Sequence, residues 1–404
     1  MIIHLRGGSF ENKGDELMLW AVVGRFARSY PDVHLTTSPS IGSYEQRSQL
    51  GLYQMLWRPR FSRLSGTLGY LMLKRYGKSF GIVSESDVRA VVDFTGFSYW
   101  DPCGTQNTKT MAYLSSRWRK QNKRIVMLPQ AFGPFEKKES REAFARILDN
   151  VDLVFARDGE SYQHVRDLPA RQDHVQIAPD FTNLVPGIEP VYVRDWGRCA
   201  CVVPNHRMIE RTDPATAENY VPFLARCVRQ LDARGIQVVF VSYNPRADSG
   251  LIDQVQSAVE KNLPVVCEQD PLLLKGVLRR AFLVIASRYH ALVSALSQGV
   301  PCLATGWTHK YRALFQEYSC PNCIMPVNIS EPALRTRIES VTEEASRSQI
   351  VRTLNAEAVR LVKQTRCMWQ RTGEVLQLPG LGRMAEQALP PVPHVGEACT
   401  PGLE

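Results

Sequence analysis

Ser287-Arg288-Tyr289-His290-Ala291-Leu292 follows the apolar run Phe282-Leu283-Val284-Ile285-Ala286 and leads on to Gly299-Val300-Pro301 and Lys310. The apolar run reads as a buried strand, and Ala291 to Gln298 as a helix that Gly299 stops. Arg288 and His290 are therefore expected at a strand end, over a helix N-terminus. The free N–H groups and dipole there favour anions. Ligands of open α/β sheets bind at the carboxyl ends of the strands. An arginine, a histidine and a nearby lysine there point to a small, multiply charged anion and a proton to be moved.

The same rhythm extends in both directions. Short β-branched runs, among them Met1–Leu5, Ala90–Asp93, Arg124–Leu128, Leu153–Ala156, Cys199–Val203 and Gln237–Val241, alternate with amphipathic stretches such as Glu16–Ser29, Lys109–Lys120 and Glu218–Arg234. This alternation predicts an α/β protein with parallel sheets and helices on both faces. Pro186, Gly187 and Pro190 mark Leu184–Arg198 as a linker between two Rossmann-like domains that face each other across a cleft. The expected divisions are 1–187 and 188–340, then a helical segment 341–378 returning to the first domain, and a disordered Pro/Gly-rich tail 379–404.

A length of 404 residues suits two domains, and 44% hydrophobic content is that of a globular protein. The net charge of +9 suits an acidic ligand or an anionic membrane. Zinc-finger spacing, RNP-type strands and a basic recognition helix are missing, so nucleic acid is not an expected partner. The start, Met1-Ile-Ile-His-Leu, reads as a strand and not as a signal peptide. Isolated cysteines such as Cys227, Cys267 and Cys302 read as reduced core thiols of a cytoplasmic protein. Cys199/Cys201 and Cys320/Cys323 also read as structural. No metal or cofactor is expected.

Between Gln46 and Ser84 there is no acidic residue, while Arg47, Arg58, Arg60, Arg63, Lys74, Arg75 and Lys78 interleave with Trp57, Phe61, Leu68 and Tyr70. Two readings stand side by side for this excursion at 46–84. It lies on an anionic bilayer, or its apolar face packs on the domain with its charges solvated.

Several loops leave strand ends with groups suited to a site. Glu11-Asn12-Lys13-Gly14-Asp15 follows the first strand; there Asp15 either caps the next helix or, with Asn12, binds a hydroxylated substrate. Thr95-Gly-Phe-Ser-Tyr99-Trp-Asp101 and Pro129-Gln130-Ala-Phe-Gly-Pro-Phe135 mix aromatic rings with hydrogen-bonding groups that suit a sugar. Arg157, Asp158 and Asp180 read as structural. Arg207 follows the strand Cys199–Val203 toward the same cleft edge as Arg288, with an arginine fork matched to carboxylate or phosphate.

In order and spacing, the Asn12/Gly14-Asp15 loop, Leu128-Pro-Gln-Ala-Phe-Gly-Pro-Phe135, Ala156-Arg-Asp with Ser161, Ala178-Pro-Asp180, Ser287-Arg-Tyr-His290, Gly299-Val-Pro301 and Lys310 resemble the polysaccharide pyruvyl transferase family. That family often carries a run of glycines where this chain has Asp93-Phe-Thr-Gly96-Phe. The resemblance implies a GT-B-like fold and transfer of pyruvate from phosphoenolpyruvate to two hydroxyls of one sugar, in a polysaccharide or its lipid-linked precursor. A lipid-linked acceptor would place the protein at the inner face of a membrane. Arg207, Arg288 and Lys310 would then hold phosphoenolpyruvate. His290 would act as acid, Asp15 would orient or deprotonate an acceptor hydroxyl, and Asn12, Gln130 and Tyr99 would bind the acceptor. Two alternatives remain: a GT-B glycosyltransferase using a nucleotide sugar, and a carbohydrate-binding protein without activity.

Overall fold

Val88–Asp93 and Arg124–Gln130 are strands buried on both sides. Ala90, Val92, Val126 and Leu128 join one hydrophobic core, and Val91, Ile125 and Met127 join another. Strands apolar on both faces need cover on both, which is the situation of a parallel sheet between helices. The computed structural model describes residues 1–56 and 76–379, and every strand pairing among them is parallel.

The first sheet comprises β1 (Ile2–Arg6), β2 (His34–Thr37), β3 (Tyr53–Met55), β4 (Ile82–Val83), β5 (Val88–Asp93), β6 (Arg124–Gln130), β7 (Leu153–Ala156) and β8 (Val175–Ile177), in the order β4-β3-β2-β1-β5-β6-β7-β8. The second holds β9 (Cys199–Val203), β10 (Gln237–Val241), β11 (Val265–Val266), β12 (Leu283–Ala286) and β13 (Cys302–Ala304), in the order β11-β10-β9-β12-β13. Strand order therefore reverses between β1 and β5 in one sheet and between β9 and β12 in the other. Crevices open at such reversals.

On the first sheet, helix Lys13–Ser29 covers one face, and helices Gln106–Lys120 and Lys138–Asn150 cover the other. Close contact joins the segment after β8 to the second sheet's helices. A Cβ on Gly276, in helix Pro271–Arg280, would stand 1.8 Å from the Ile188 carbonyl oxygen. No larger residue fits there.

The long helix Glu344–Val375 ties the ends of the chain together. Its Trp369 packs edge-on against Phe26 (centroids 6.1 Å apart) and Phe181 (6.0 Å) of the first sheet's core. Thr365 Oγ1 accepts a hydrogen bond from Asn183 Nδ2 at 2.9 Å. Aromatic packing thus joins this helix to the first sheet's core. Most of the basic excursion, and all of the tail from 380, lie outside the described residues. No helix among those described is long and apolar enough to cross a membrane.

Trp369→Ala removes a nearly fully buried ring that bridges the two ends of the chain, and should destabilise the protein by about 3–5 kcal/mol. Urea unfolding measures this; a loss below about 1 kcal/mol would mean that the helix docks without this ring.

Candidate active site

Two helices, one from each sheet, point their N-termini at the same place. Asn12 caps the first, helix Lys13–Ser29, its Oδ1 accepting from the Gly14 N–H at 3.0 Å. The helix therefore starts three residues before the expected Glu16, and the cap is Asn12 rather than Asp15. Relieved of capping, the Asp15 carboxylate faces a cavity. The second helix runs from Tyr289 to Leu296, with Arg288 at its cap position and His290 in its first turn.

The two helix ends touch through Gly14. A Cβ there would lie 2.5 Å from His290 Nδ1 and 2.8 Å from the His290 Cβ, so only glycine leaves room for the imidazole. Lys13 fixes the approach: its N–H donates to the Tyr243 carbonyl oxygen at 3.2 Å, and its Nζ to the Gln269 carbonyl oxygen at 2.6 Å. Further out, His309 Nε2 lies 3.2 Å from Ser161 Oγ, and Arg312 pairs with Glu160 at 3.1 Å.

The cavity between the helix ends measures about 320 Å³. Asn12, Asp15, Arg157 and the turn Thr95–Ser98 line it from the first domain; Arg288, Tyr289, His290, Trp307 and Lys310 line it from the second. Arg288 is held by a buried ion pair to Asp248, with Nε donating to the Pro204 carbonyl oxygen at 3.3 Å. Arg157 is fully buried, pairs with Asp180 at 3.1 Å, and lies 4.1 Å from the centre of the Tyr289 ring. The Lys310 ammonium stands among four rings, at 5.1 Å from Phe97, 5.3 Å from Tyr289, 5.5 Å from Tyr311 and 5.7 Å from Trp307. Such faces attract a cation.

Burial governs the titration of this cluster. Loss of water pushes Lys310 down to about 7, with Arg157 adding to the effect and Asp15 opposing it. Desolvation pushes the Asp15 carboxyl up to about 6 against the pull of Lys310 and Arg288. It also pushes His290 down to about 4, with Asp180 opposing and Arg157, Lys310 and Lys275 contributing. In the free protein the imidazole is therefore neutral at pH 7. An anion in the cavity would raise all three values, because it favours every protonated form.

Of the residues expected from the sequence, Asn12, Asp15, Arg207, Arg288, His290 and Lys310 all line the cavity. Arg207 does so at the rim, exposed and paired with Glu210 at 2.7 Å. Tyr99 and Gln130 do not line it. Tyr99 donates its hydroxyl to Asp93 at 2.7 Å, and Gln130 Nε2 donates to Asp93 at 3.0 Å; both side chains are fully buried. With Arg6, also bound to Asp93 at 2.6 Å, they tie together the carboxyl ends of β1, β5 and β6. Both side chains point into the first sheet's core and away from the cavity, and Gln130 accepts from Thr95 Oγ1 at 2.9 Å beside the Thr95–Ser98 turn. Arg157 was read as structural; it pairs with a carboxylate as expected but also forms part of the cavity wall. Trp307 and Arg211 were not anticipated. Among the described residues no cluster of His, Cys, Asp or Glu could hold a metal ion.

The model of one family, described as polysaccharide pyruvyl transferase, matches residues 12–309. The chain belongs to that family. The match begins at the Asn12 cap and ends at His309, and so includes most of the cavity wall. No curated protein matches the chain significantly. Among solved structures, Anabaena HepE in complex with UDP and glucose is similar, with a TM-score of 0.57 at 12% identity over 93% of this chain and 100% of that one. A glycosyltransferase from Rickettsia africae gives 0.58 at 12% identity, over 93% and 98%. The UDP-GlcNAc 2-epimerase of Neisseria meningitidis, bound to UDP-GlcNAc, gives 0.54 at 12%, over 93% and 100%. At such identities the likeness is one of fold: the chain has the GT-B-like arrangement of two parallel-sheet domains.

Gly14→Ala should destabilise the protein by about 1–3 kcal/mol through the clash with His290. In a His290→Ala background the same change should become stabilising by roughly 0.5–1 kcal/mol, the ordinary gain of alanine over glycine in a helix. Additive effects in urea unfolding would mean that the contact does not exist. Asp15 has a folded pKa of about 6, above its usual 3.8. Its stabilising protonated form is present below 3.8 and lost as pH rises to about 6, so Asp15→Asn should raise stability at pH 7.5 by about 1–2 kcal/mol. The gain should shrink as pH falls from 6 toward 4; a gain independent of pH would contradict the assignment.

Proposed function

We propose that the cavity binds phosphoenolpyruvate and transfers its pyruvyl group to two hydroxyls of one sugar, forming a cyclic ketal and releasing phosphate. The observation that carries this reading is the convergence of Arg157, Arg288 and Lys310 on one small cavity that also holds Asp15 and His290. Such a concentration of buried basic side chains suits a compact, multiply charged anion, whose arrival recharges Lys310. Phosphoenolpyruvate carries a phosphate and a carboxylate on one carbon. Guanidinium forks match both groups, and Lys310 adds a point charge. Arg207 at the rim is left to the outer part of either substrate.

The first acceptor oxygen attacks C2 of the enol while C3 gains a proton and becomes a methyl group. The bond from C2 to the phosphate oxygen then breaks, and phosphate leaves with the electron pair. The second acceptor oxygen adds to C2. The acceptor loses two hydroxyl protons over the sequence; C3 gains one and the departing phosphate the other.

Asp15, lifted toward neutrality, is a carboxylate suited to take a hydroxyl proton near pH 7, since a base works best with a pKa near the operating pH. His290 delivers a proton once the bound anion has raised its pKa. The turn Thr95–Ser98, Phe97 stacked on Trp100 (centroids 4.4 Å apart), and Trp307 form the apolar and hydroxyl-bearing wall on which the acceptor sugar rests. Acceptor attachment to a membrane lipid would suit the basic composition of 46–84.

The electrostatics define the test. At pH 7.5 Lys310, with a pKa of about 7, is largely neutral, and His290 is neutral. A bound trianion raises both, so binding of phosphoenolpyruvate should take up roughly one proton, seen as a dependence of binding enthalpy on buffer ionisation enthalpy. Lys310→Met keeps the stem among the aromatic rings, and should weaken binding by about 10-fold or more and reduce the uptake. Proton release on binding, or tight binding of UDP with none of phosphoenolpyruvate, would overturn the reading.

A further inference from the structure

His290 has one ring nitrogen against Gly14 and the other buried without a hydrogen-bond partner. The buried Nε2 lies 3.7 Å from Asp180 Oδ2. We infer that Asp180, contributed by the opposite domain, is the positioning residue that holds His290 in its Nε2–H tautomer, leaving the Nδ1 lone pair at the cavity edge beside the Asn12–Asp15 turn.

Asp180 is itself rigidly aimed. It follows β8 at the head of the turn Phe181–Leu184, and its Oδ1 accepts from the Thr182 N–H at 3.0 Å and from Thr182 Oγ1 at 2.6 Å. Those bonds set the carboxylate plane and direct Oδ2 at Arg157 Nη1, 3.1 Å away, and at the imidazole. Lys275 holds the same turn from the second domain, its Nζ donating to the Thr182 carbonyl oxygen at 2.8 Å. One buried carboxylate thus faces a cation of its own domain and a histidine of the other.

Three observations favour Nε2–H. Nε2 faces a carboxylate, which accepts and does not donate when ionised. Asp180 is held ionised: desolvation opposes this, but the Arg157 guanidinium and the two Thr182 hydrogen bonds keep its pKa below the ordinary value. A closure of under about 1 Å would turn the 3.7 Å approach into a hydrogen bond. The hydrogen bond made by one ring nitrogen decides which form the other takes.

The charged groups facing His290 are Asp180, Arg157, Lys310 and Lys275. An anion that neutralises Arg157 and Lys310 leaves Asp180 as the dominant influence on the ring. The protonated imidazole then becomes favourable when the cavity is filled. The use of Nδ1 as the proton-carrying atom rests on the proposed function, whereas the tautomer is a property of the free protein.

Nitrogen-15 shifts of histidine-labelled protein at pH 7.5 test this directly, with His290→Gln identifying the resonances. The wild type should show a pyrrole-like Nε2 and a pyridine-like Nδ1 for His290. In Asp180→Asn the ratio should move toward a mixture of tautomers. Thr182→Val keeps every charge and removes the 2.6 Å bond that aims the carboxylate, and it should shift the ratio in the same direction. This second variant carries the test should Asp180→Asn fail to fold. A predominant Nδ1–H form in the wild type, or a ratio unchanged in a folded variant, would overturn the inference. Neither outcome depends on phosphoenolpyruvate binding, so this result and the proposed reaction can fail separately.

Discussion

The cleft depends on the missing side chain at Gly14. Because nothing projects there, the N-terminus of helix Lys13–Ser29 approaches the first turn of helix Tyr289–Leu296 until the backbone of one meets the imidazole of the other. Each helix leads away from the crevice of its own sheet, so the contact brings two strand-order reversals face to face. Lys13 locks the approach through backbone carbonyls of the second domain, which do not compete for the charged groups of the cavity. A methyl group at this one position would separate the domains or displace His290.

From that contact follows an unusual electrostatic state. Two guanidinium groups, a lysine that titrates near neutrality, a carboxylate and a histidine share a space of about 320 Å³, largely out of water. Desolvation penalises each charged form, which is why Lys310 falls while Asp15 rises and His290 stays neutral. Aromatic faces around Lys310 compensate part of that penalty, as do the buried pairs Arg288–Asp248 and Arg157–Asp180. The free site thus holds its charges in buried pairs and in groups that titrate near neutrality. Proton chemistry can then be gated by occupancy, since the same anion that fills the site raises the groups that would protonate it.

Much of this was legible in the sequence, for identifiable reasons. The stretch Phe282–Gln298 announces a strand, a turn and a helix through hydrophobic runs and a terminating glycine, so Arg288 and His290 could be placed at a helix start. The short strands β3 and β4 were missed because Tyr53–Met55 and Ile82–Val83 fall within the segment 46–84, which reads as an excursion from the sheet rhythm. For Asp15 the sequence left open a cap or a substrate contact; Asn12 makes the cap. Both residue types serve as caps, and the Asn12 Oδ1 accepts the Gly14 N–H. Tyr99 does sit on a strand-end loop and Gln130 closes β6, but Asp93 draws both side chains inward, and no local pattern reveals that partner. Arg157 and Asp180 looked structural because they do pair; only the meeting of the two domains makes that pair part of a cavity wall. The family resemblance rested on the order of these motifs, and the match over residues 12–309 bears it out.

The most direct test of the account is a crystal structure of the protein soaked with phosphoenolpyruvate. The account predicts density in the cavity with both anionic groups against Arg157, Arg288 and Lys310, and the enol carbons between Asp15 and His290. An empty cavity under saturating phosphoenolpyruvate, in crystals where UDP binds between the domains, would contradict it.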